Sequence, residues 1–294
     1  MDFDSELKQR AREYDAHLMN YLTRFSDERT PLFDAVRHGI TAGGKRLRMA
    51  AVIESARMFA DECDAAVPFA CAVEFIHSYS LIHDDLPAMD DADYRRGALS
   101  VHKKYGECAA ILAGDALLTY AFEIMSETGA PGSMRALNEI AKCSGTSGMV
   151  LGQALDTLYD GPVNYDTLLE IYRRKTSSMF YGPMRAGAIL AGADEAGIGA
   201  AGAFAESFGL AFQIADDIDD ITGGIASTGK AAGADDKNNK TTAVTLLGMD
   251  GAVHAAAGYA EAAVSAVAAC DRRGFFTALG KYLIDKINGT GAPR

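Results

Sequence analysis

Cysteine is scarce in this chain: the 294 residues include five, an odd number, at Cys63, Cys71, Cys108, Cys143 and Cys270. Their scatter fits neither a disulfide framework nor a zinc spacing, and it predicts a reduced, cytoplasmic protein. Positive charge is also short. Lys and Arg total 28 against 40 Asp and Glu, a formal charge of -12, so the basic footprint of a nucleic-acid partner is missing. No run of eighteen apolar residues occurs, and no membrane insertion is expected. The opening MDFDSELKQRAREYD is charged and lacks the apolar stretch of a secretory signal. No segment alternates convincingly enough to promise a strand. No Pro/Ser-rich linker, composition shift or fixed-period repeat divides the chain.

What is present is helical periodicity almost throughout, with 49% hydrophobic residues, enough for a substantial core. Residues 65–83 are apolar nearly all round, with Glu74 and His77 as exceptions, and this predicts a central helix. Residues 107–126 and 198–221 have the same character, whereas 5–24, 164–180 and 252–269 are more amphipathic and read as peripheral. The stretch from Gly223 to Asn239, rich in Gly, Ala, Asp and Lys, reads as a functional loop or lid. The expectation is one all-α domain spanning residues 1–294.

Two acidic clusters stand at the C-terminal ends of apolar helices. The first contains Asp84, Asp85, Asp90, Asp91 and Asp93; the second contains Asp216, Asp217, Asp219 and Asp220. The helix dipole is negative at that end, and crowded carboxylates repel, so a cation is the economical remedy. Asp216 and Asp220, four apart, share a helix face. Asp84 and Asp90, six apart, would not, but Pro87 lies between them and predicts a bulge that returns Asp90 to Asp84. Few hard oxygen ligands, all carboxylate, suit Mg²⁺ completed by water and phosphate. A calcium loop of the D-x-[DN]-x-[DN]-G type is absent.

Basic residues sit where diphosphates would need them. GGKRLR at 43–48 supplies backbone N–H groups, Lys45 and Arg48; Arg95 and Arg96 follow the first acidic cluster. Lys175 with Thr176, then Lys230 and Lys240, complete the set. Each alone reads more readily as an ordinary surface residue, and His77 alone as a core histidine.

Together, GGKRLR, HSYSLIHDDLPAMDDADYRRG, GECAAILAGDALLTYAF, GQALD, KT, FQIADDIDD and GKAAGADDKNNKTT resemble the polyprenyl synthase family, most closely its bacterial short-chain members. The resemblance implies the isoprenoid synthase fold, about ten or more helices around a central cavity, as a homodimer. It implies a prenyltransferase joining isopentenyl diphosphate to an allylic diphosphate, with about three Mg²⁺ ions. Asp84, Asp90 and Asp216 become metal ligands, supported by Asp85, Asp217 and Asp220. Arg95, Lys175 and Lys230 hold the allylic diphosphate, with Lys240 nearby. Gly44, Lys45, Arg48, His77 and Arg96 hold isopentenyl diphosphate, and Thr176 and Gln213 turn oxygens to the carbocation.

By the same resemblance, Tyr79, five residues before the first motif, limits the product to fifteen carbons, which implies farnesyl diphosphate. Geranyl and geranylgeranyl diphosphate are the alternative products. A catalytically silent regulatory subunit and a terpene cyclase are the rival readings, and both would lack motifs that are intact here. Departures from the family pattern are Ser177 after Lys-Thr, Phe180 and Tyr181 just beyond, Asp219 inside the second motif, Gly224, and a C-terminus without a basic tail, for which Lys286 is the substitute.

Overall fold

The computed structural model describes residues 2–25, 30–222 and 240–290. The predicted lid from Gly223 to Asn239, with Lys230 in it, lies outside the described residues.

The described chain is helical almost throughout: α1 (Phe3–Phe25), α2 (Pro31–Thr41), α3 (Leu47–Phe59), α4 (Ala66–Asp84), α5 (Val101–Tyr105), α6 (Glu107–Ser126), α7 (Ser133–Ser144), α8 (Met149–Leu158), α9 (Tyr165–Tyr172), α10 (Ser178–Leu190), α11 (Glu195–Thr222), α12 (Ala243–Val267) and α13 (Phe275–Thr290). Between α9 and α10 the coil widens into a π-turn at Arg173–Ser177. The helix starts carry the local signals expected of them. Thr30 caps α2 with Pro31 in the first turn, Asn164 caps α9, and Thr242 forms a reciprocal cap with Thr245 on α12.

Helices α4 and α11 form the centre. Phe69, Phe75 and Ile76 of α4 and Phe204, Phe208 and Ile214 of α11 are fully buried. α4 packs along α3 and α6, and α11 along α10 and α12. α1 and α12 are one-sided, as predicted: Leu7, Tyr14, Leu18 and Leu22 line one face, and Ala252, Ala256, Ala260 and Ala263 the other helix's inner stripe.

Three expectations need correction. Helix α6 is not enclosed, because Ile111 and Leu112 remain 44% and 51% exposed. The segment 164–180 is not peripheral, because Thr176, Ser177, Met179 and Phe180 are buried. A strand pair does exist: β1 (Tyr94–Arg95) pairs antiparallel with β2 (Ala98–Leu99). Its turn residues Arg96 and Gly97 both have left-handed φ, 54° and 79°, the geometry that closes a two-residue hairpin. Helices α6 and α11 are each long and apolar enough to span a membrane by length and composition, yet 61% of the α11 window is buried in the bundle, against 44% for α6.

Candidate active site

The first wall is the end of α4. Beyond Asp84 the helix stops and the chain folds back, so that the Asp90 N–H donates to the Asp84 carbonyl at 2.9 Å and the Ala92 N–H to that of Asp85 at 3.1 Å. The bulge predicted at Pro87 is therefore present, and it returns Asp90 to Asp84. Asp85 turns inward, 2% exposed, and accepts from Arg95 Nε at 2.9 Å and also from Arg95 Nη2. Asp84 stays in the cleft. Burial pushes its carboxyl above the usual range, Lys175 opposes this, and Asp90 adds to it.

The second wall is the end of α11. Asp217 is 4% exposed and accepts from the Tyr172 hydroxyl, from Gln213 Nε2 at 3.3 Å and from the Ala243 N–H at 2.9 Å. It ties α9, α11 and the start of α12 together. Asp219 is paired with Lys286 of α13, so that lysine is engaged by the residue that departs from the family pattern. Asp216 is exposed at the cleft surface although protein atoms crowd around it. Burial raises its carboxyl to about 7, with Asp219 and Asp217 adding to the shift and Lys286 and Arg48 opposing it.

Each motif thus separates its adjacent acids. One carboxylate is buried and satisfied by protein donors, while Asp84, Asp90 and Asp216 accept no side-chain cation or backbone N–H among the described residues.

The π-turn faces these walls. A widened turn aims successive side chains differently from an α-helix and recurs at functional sites. Lys175 Nζ donates to Asp156 Oδ2 at 2.7 Å, and Lys240 Nζ donates to the same oxygen at 2.9 Å. Burial alone would raise Asp156, but the two lysines hold it below the usual carboxylate range. Helix α8 comes this close because residue 152 is glycine: a Cβ there would lie 2.2 Å from the Lys175 nitrogen. Asp156, four residues on, shares that face. Thr176 Oγ1 donates to Gln213 Oε1 at 2.6 Å, which joins the two residues predicted to face a carbocation. A cavity of about 320 Å³ opens between Asp90, Asp156, Tyr159 and Lys240.

A cationic pocket adjoins the first wall. Arg96 Nη1 donates to the Gly43 carbonyl, and a Cβ on Gly44, whose φ is +145°, would lie 2.8 Å from the same nitrogen, so the glycine gives the guanidinium room. Arg48 Nη1 lies 3.3 Å from His77 Nε2, and its Nε is buried without a partner. Burial and Arg48 hold His77 well below its usual pKa, so the imidazole is neutral. Burial lowers Arg48 to about 10, opposed by Glu74, and it stays charged near neutrality. Lys45 is exposed and, with Asp216 and Lys286, lines the crevice between α11 and α13.

Among the described residues no three Asp, Glu, His or Cys side chains converge on one point closely enough to hold an ion. The donors are hard carboxylate oxygens on separate walls, a set that suits a cation sharing its shell with phosphates and water. Sequence reasoning missed Asp156, Glu74 and Tyr172. Gly152 preceding Asp156 by one helical turn was the available signal for the first of these.

A helical bundle with acid-tipped central helices and an adjoining cationic pocket is the architecture of a diphosphate-handling prenyltransferase. The chain matches the Polyprenyl synthetase family model over residues 29–270, and it belongs to that family. It is 41% identical to the farnesyl diphosphate synthase of Escherichia coli over 257 residues, 85% of this chain and 86% of that one. It is 42% identical to a chloroplastic geranylgeranyl pyrophosphate synthase of Catharanthus roseus over 225 residues, 74% of this chain and 63% of that one. Among solved structures, a Caulobacter crescentus polyprenyl synthase complexed with calcium and isoprenyl diphosphate superposes with a TM-score of 0.85 at 29% identity, covering 95% of this chain and 97% of that one.

Proposed function

We propose that this prenyltransferase condenses isopentenyl diphosphate with dimethylallyl and then geranyl diphosphate to give farnesyl diphosphate, the whole chain acting as one domain. The observation that carries the reading is the separation of the acids: Asp85 and Asp217 are satisfied by protein donors, whereas Asp84, Asp90 and Asp216 are left for a cation. The calcium and isoprenyl diphosphate of the Caulobacter structure support the same assignment.

In this mechanism Asp84, Asp90 and Asp216 would hold magnesium, about three ions by likeness to the family. When bound, the metal neutralises the allylic diphosphate and makes it a better leaving group. Arg95, Lys175 and Lys240 grip that diphosphate, with Lys230 from outside the described residues. Gly44, Lys45, Arg48, His77 and Arg96 grip isopentenyl diphosphate. Neutral His77 offers a hydrogen bond without adding charge. Thr176 and Gln213 present oxygens to the developing cation, and Phe180 and Phe212, packed on one another at 5.8 Å between ring centres, help exclude the water that would quench it. The proton leaves for an oxygen of the departing diphosphate, so no protein nucleophile is required.

Incubation with isopentenyl diphosphate, magnesium and each allylic primer of five, ten or fifteen carbons, followed by mass spectrometry, tests the reading. Five- and ten-carbon primers should give a fifteen-carbon product, and the fifteen-carbon primer should be extended poorly. Failure to elongate any primer would favour the silent-subunit reading.

The exposed side of α6 supports a homodimer. Cys108, Ile111, Leu112, Asp115 and Thr119 run down one open face, and a second copy would cover its apolar part at Ile111 and Leu112. Ile111→Asp should convert a dimer into a monomer in size-exclusion chromatography with light scattering; a parent that already elutes as a monomer would exclude the dimer. The free cysteines fit a cytoplasmic location.

A further inference from the structure

The three cations of GGKRLR have separate fates. Lys45 is exposed and Arg48 lies beside His77, but Arg46 is 4% exposed and too enclosed to reach a substrate. Each nitrogen of its guanidinium is held by protein: Nε donates to Asp15 Oδ1, Nη1 to Glu74 Oε1 and Nη2 to the Ile40 carbonyl, each at 2.8 Å. Its backbone is left-handed, φ 51° and ψ 32°, at the residue that starts α3. An arginine adopts that conformation at a cost, so the three bonds hold the loop in a shape it would not choose alone.

The other end of the link is equally telling. Glu74 is 1% exposed in the middle of apolar α4, one turn before His77 and therefore on the same face. Its Oε2 has no hydrogen-bond partner. Its charge acts on Arg48 and Arg96 as well as on Arg46, which makes it the buried counter-charge of the cationic pocket. The same helix ends in Asp84, about 15 Å further on at 1.5 Å per residue. One rigid helix thus carries the metal wall and the anchor of the neighbouring loop.

We propose that Arg46, locked between Glu74 and Asp15, is the positioning residue of the isopentenyl diphosphate site, holding residues 43–48 in the shape that aims Lys45 and Arg48 at the substrate. This rests on the assignment of that pocket to isopentenyl diphosphate. Removing Arg46 alone would strand a buried carboxylate, whereas replacing both partners by apolar residues of similar size is far better tolerated.

The test is steady-state kinetics of the double variant Arg46→Met with Glu74→Leu, with circular dichroism to verify folding and Arg48→Ala as a control. The double variant should raise KM for isopentenyl diphosphate about thirtyfold, the order expected when a charge-assisted arrangement is lost. KM for geranyl diphosphate and kcat should stay within about threefold, since Arg46 touches neither the allylic wall nor the π-turn. A folded double variant with unchanged isopentenyl KM, or with both KM values raised alike, would overturn the proposal. If the double variant fails to fold, Glu74→Gln serves in its place: it should raise the isopentenyl KM about threefold, and an unchanged value overturns the proposal. An Arg48→Ala enzyme with unchanged isopentenyl KM would instead overturn the assignment of the pocket.

Discussion

Asp216→Asn should melt at a higher temperature than the parent in EDTA at pH 8, and lose about a thousandfold in kcat with magnesium present. Both effects come from one carboxylate. In the metal-free protein Asp216 is raised to about 7 from an ordinary 3.8, so folding favours its protonated form. The stability it contributes is fully present below pH 4 and is lost as pH rises through about 7, where the ionised group faces Asp219 and Asp217. Asn removes that charge. Because Asp216 keeps solvent contact, the gain is discounted to about 1 kcal/mol, or roughly 2–4 °C in Tm. The stability difference should vanish near pH 4. Calorimetry in EDTA across this range, paired with turnover assays, checks both halves. A variant that is less stable at pH 8, or one that retains activity, would contradict the account of the second wall.

Tyr79→Ala should move the main product from fifteen carbons to twenty or more. Tyr79 is 7% exposed and lies five residues before Asp84, about 7–8 Å along the helix. Its ring meets His83 edge-on at 5.8 Å. His83 is itself held by the Ile111 carbonyl at 3.1 Å, and Gly114 leaves it room, since a Cβ there would lie 2.0 Å from the imidazole Nε2. A tail growing down α4 from the metal wall would meet this backed ring. Removing the ring deepens the cleft by the size of an aromatic side chain while leaving the carboxylates in place. Tyr79→Phe should keep the fifteen-carbon product, because the ring, not the hydroxyl, forms the stop. Chromatography of dephosphorylated products reads the result; an unchanged length in Tyr79→Ala would locate the stop elsewhere.

The acidic clusters were legible because charge at the end of an apolar helix violates the local pattern and needs a cause. Pro87 made the return of Asp90 legible as well. Which of two adjacent acids turns inward was not legible from periodicity, since neighbours on a helix differ by about 100° in direction; only the family resemblance separated Asp85 and Asp217 as supports, and packing turns them inward. The β1–β2 hairpin escaped notice because two-residue strands carry no alternation to detect. The π-turn escaped because Arg173–Ser177 reads as ordinary helix until Gly152 and Asp156 are placed against it. Helix α6 misled because its sequence is apolar nearly all round, yet Ile111 and Leu112 stay exposed. Arg46 was given no role, since sequence alone cannot tell that its guanidinium turns inward to Glu74 and Asp15.

The central claim is that Asp84 and Asp90 on one wall and Asp216 on the other gather magnesium only together with a diphosphate. Titration calorimetry of magnesium into the protein, with and without an unreactive allylic thiolodiphosphate, tests it most directly. The expected result is weak binding to the protein alone and binding at least about a hundredfold tighter with the analogue present, because among the described residues no protein cluster closes on an ion by itself. Tight magnesium binding without the analogue, or analogue binding undiminished in EDTA, would contradict it.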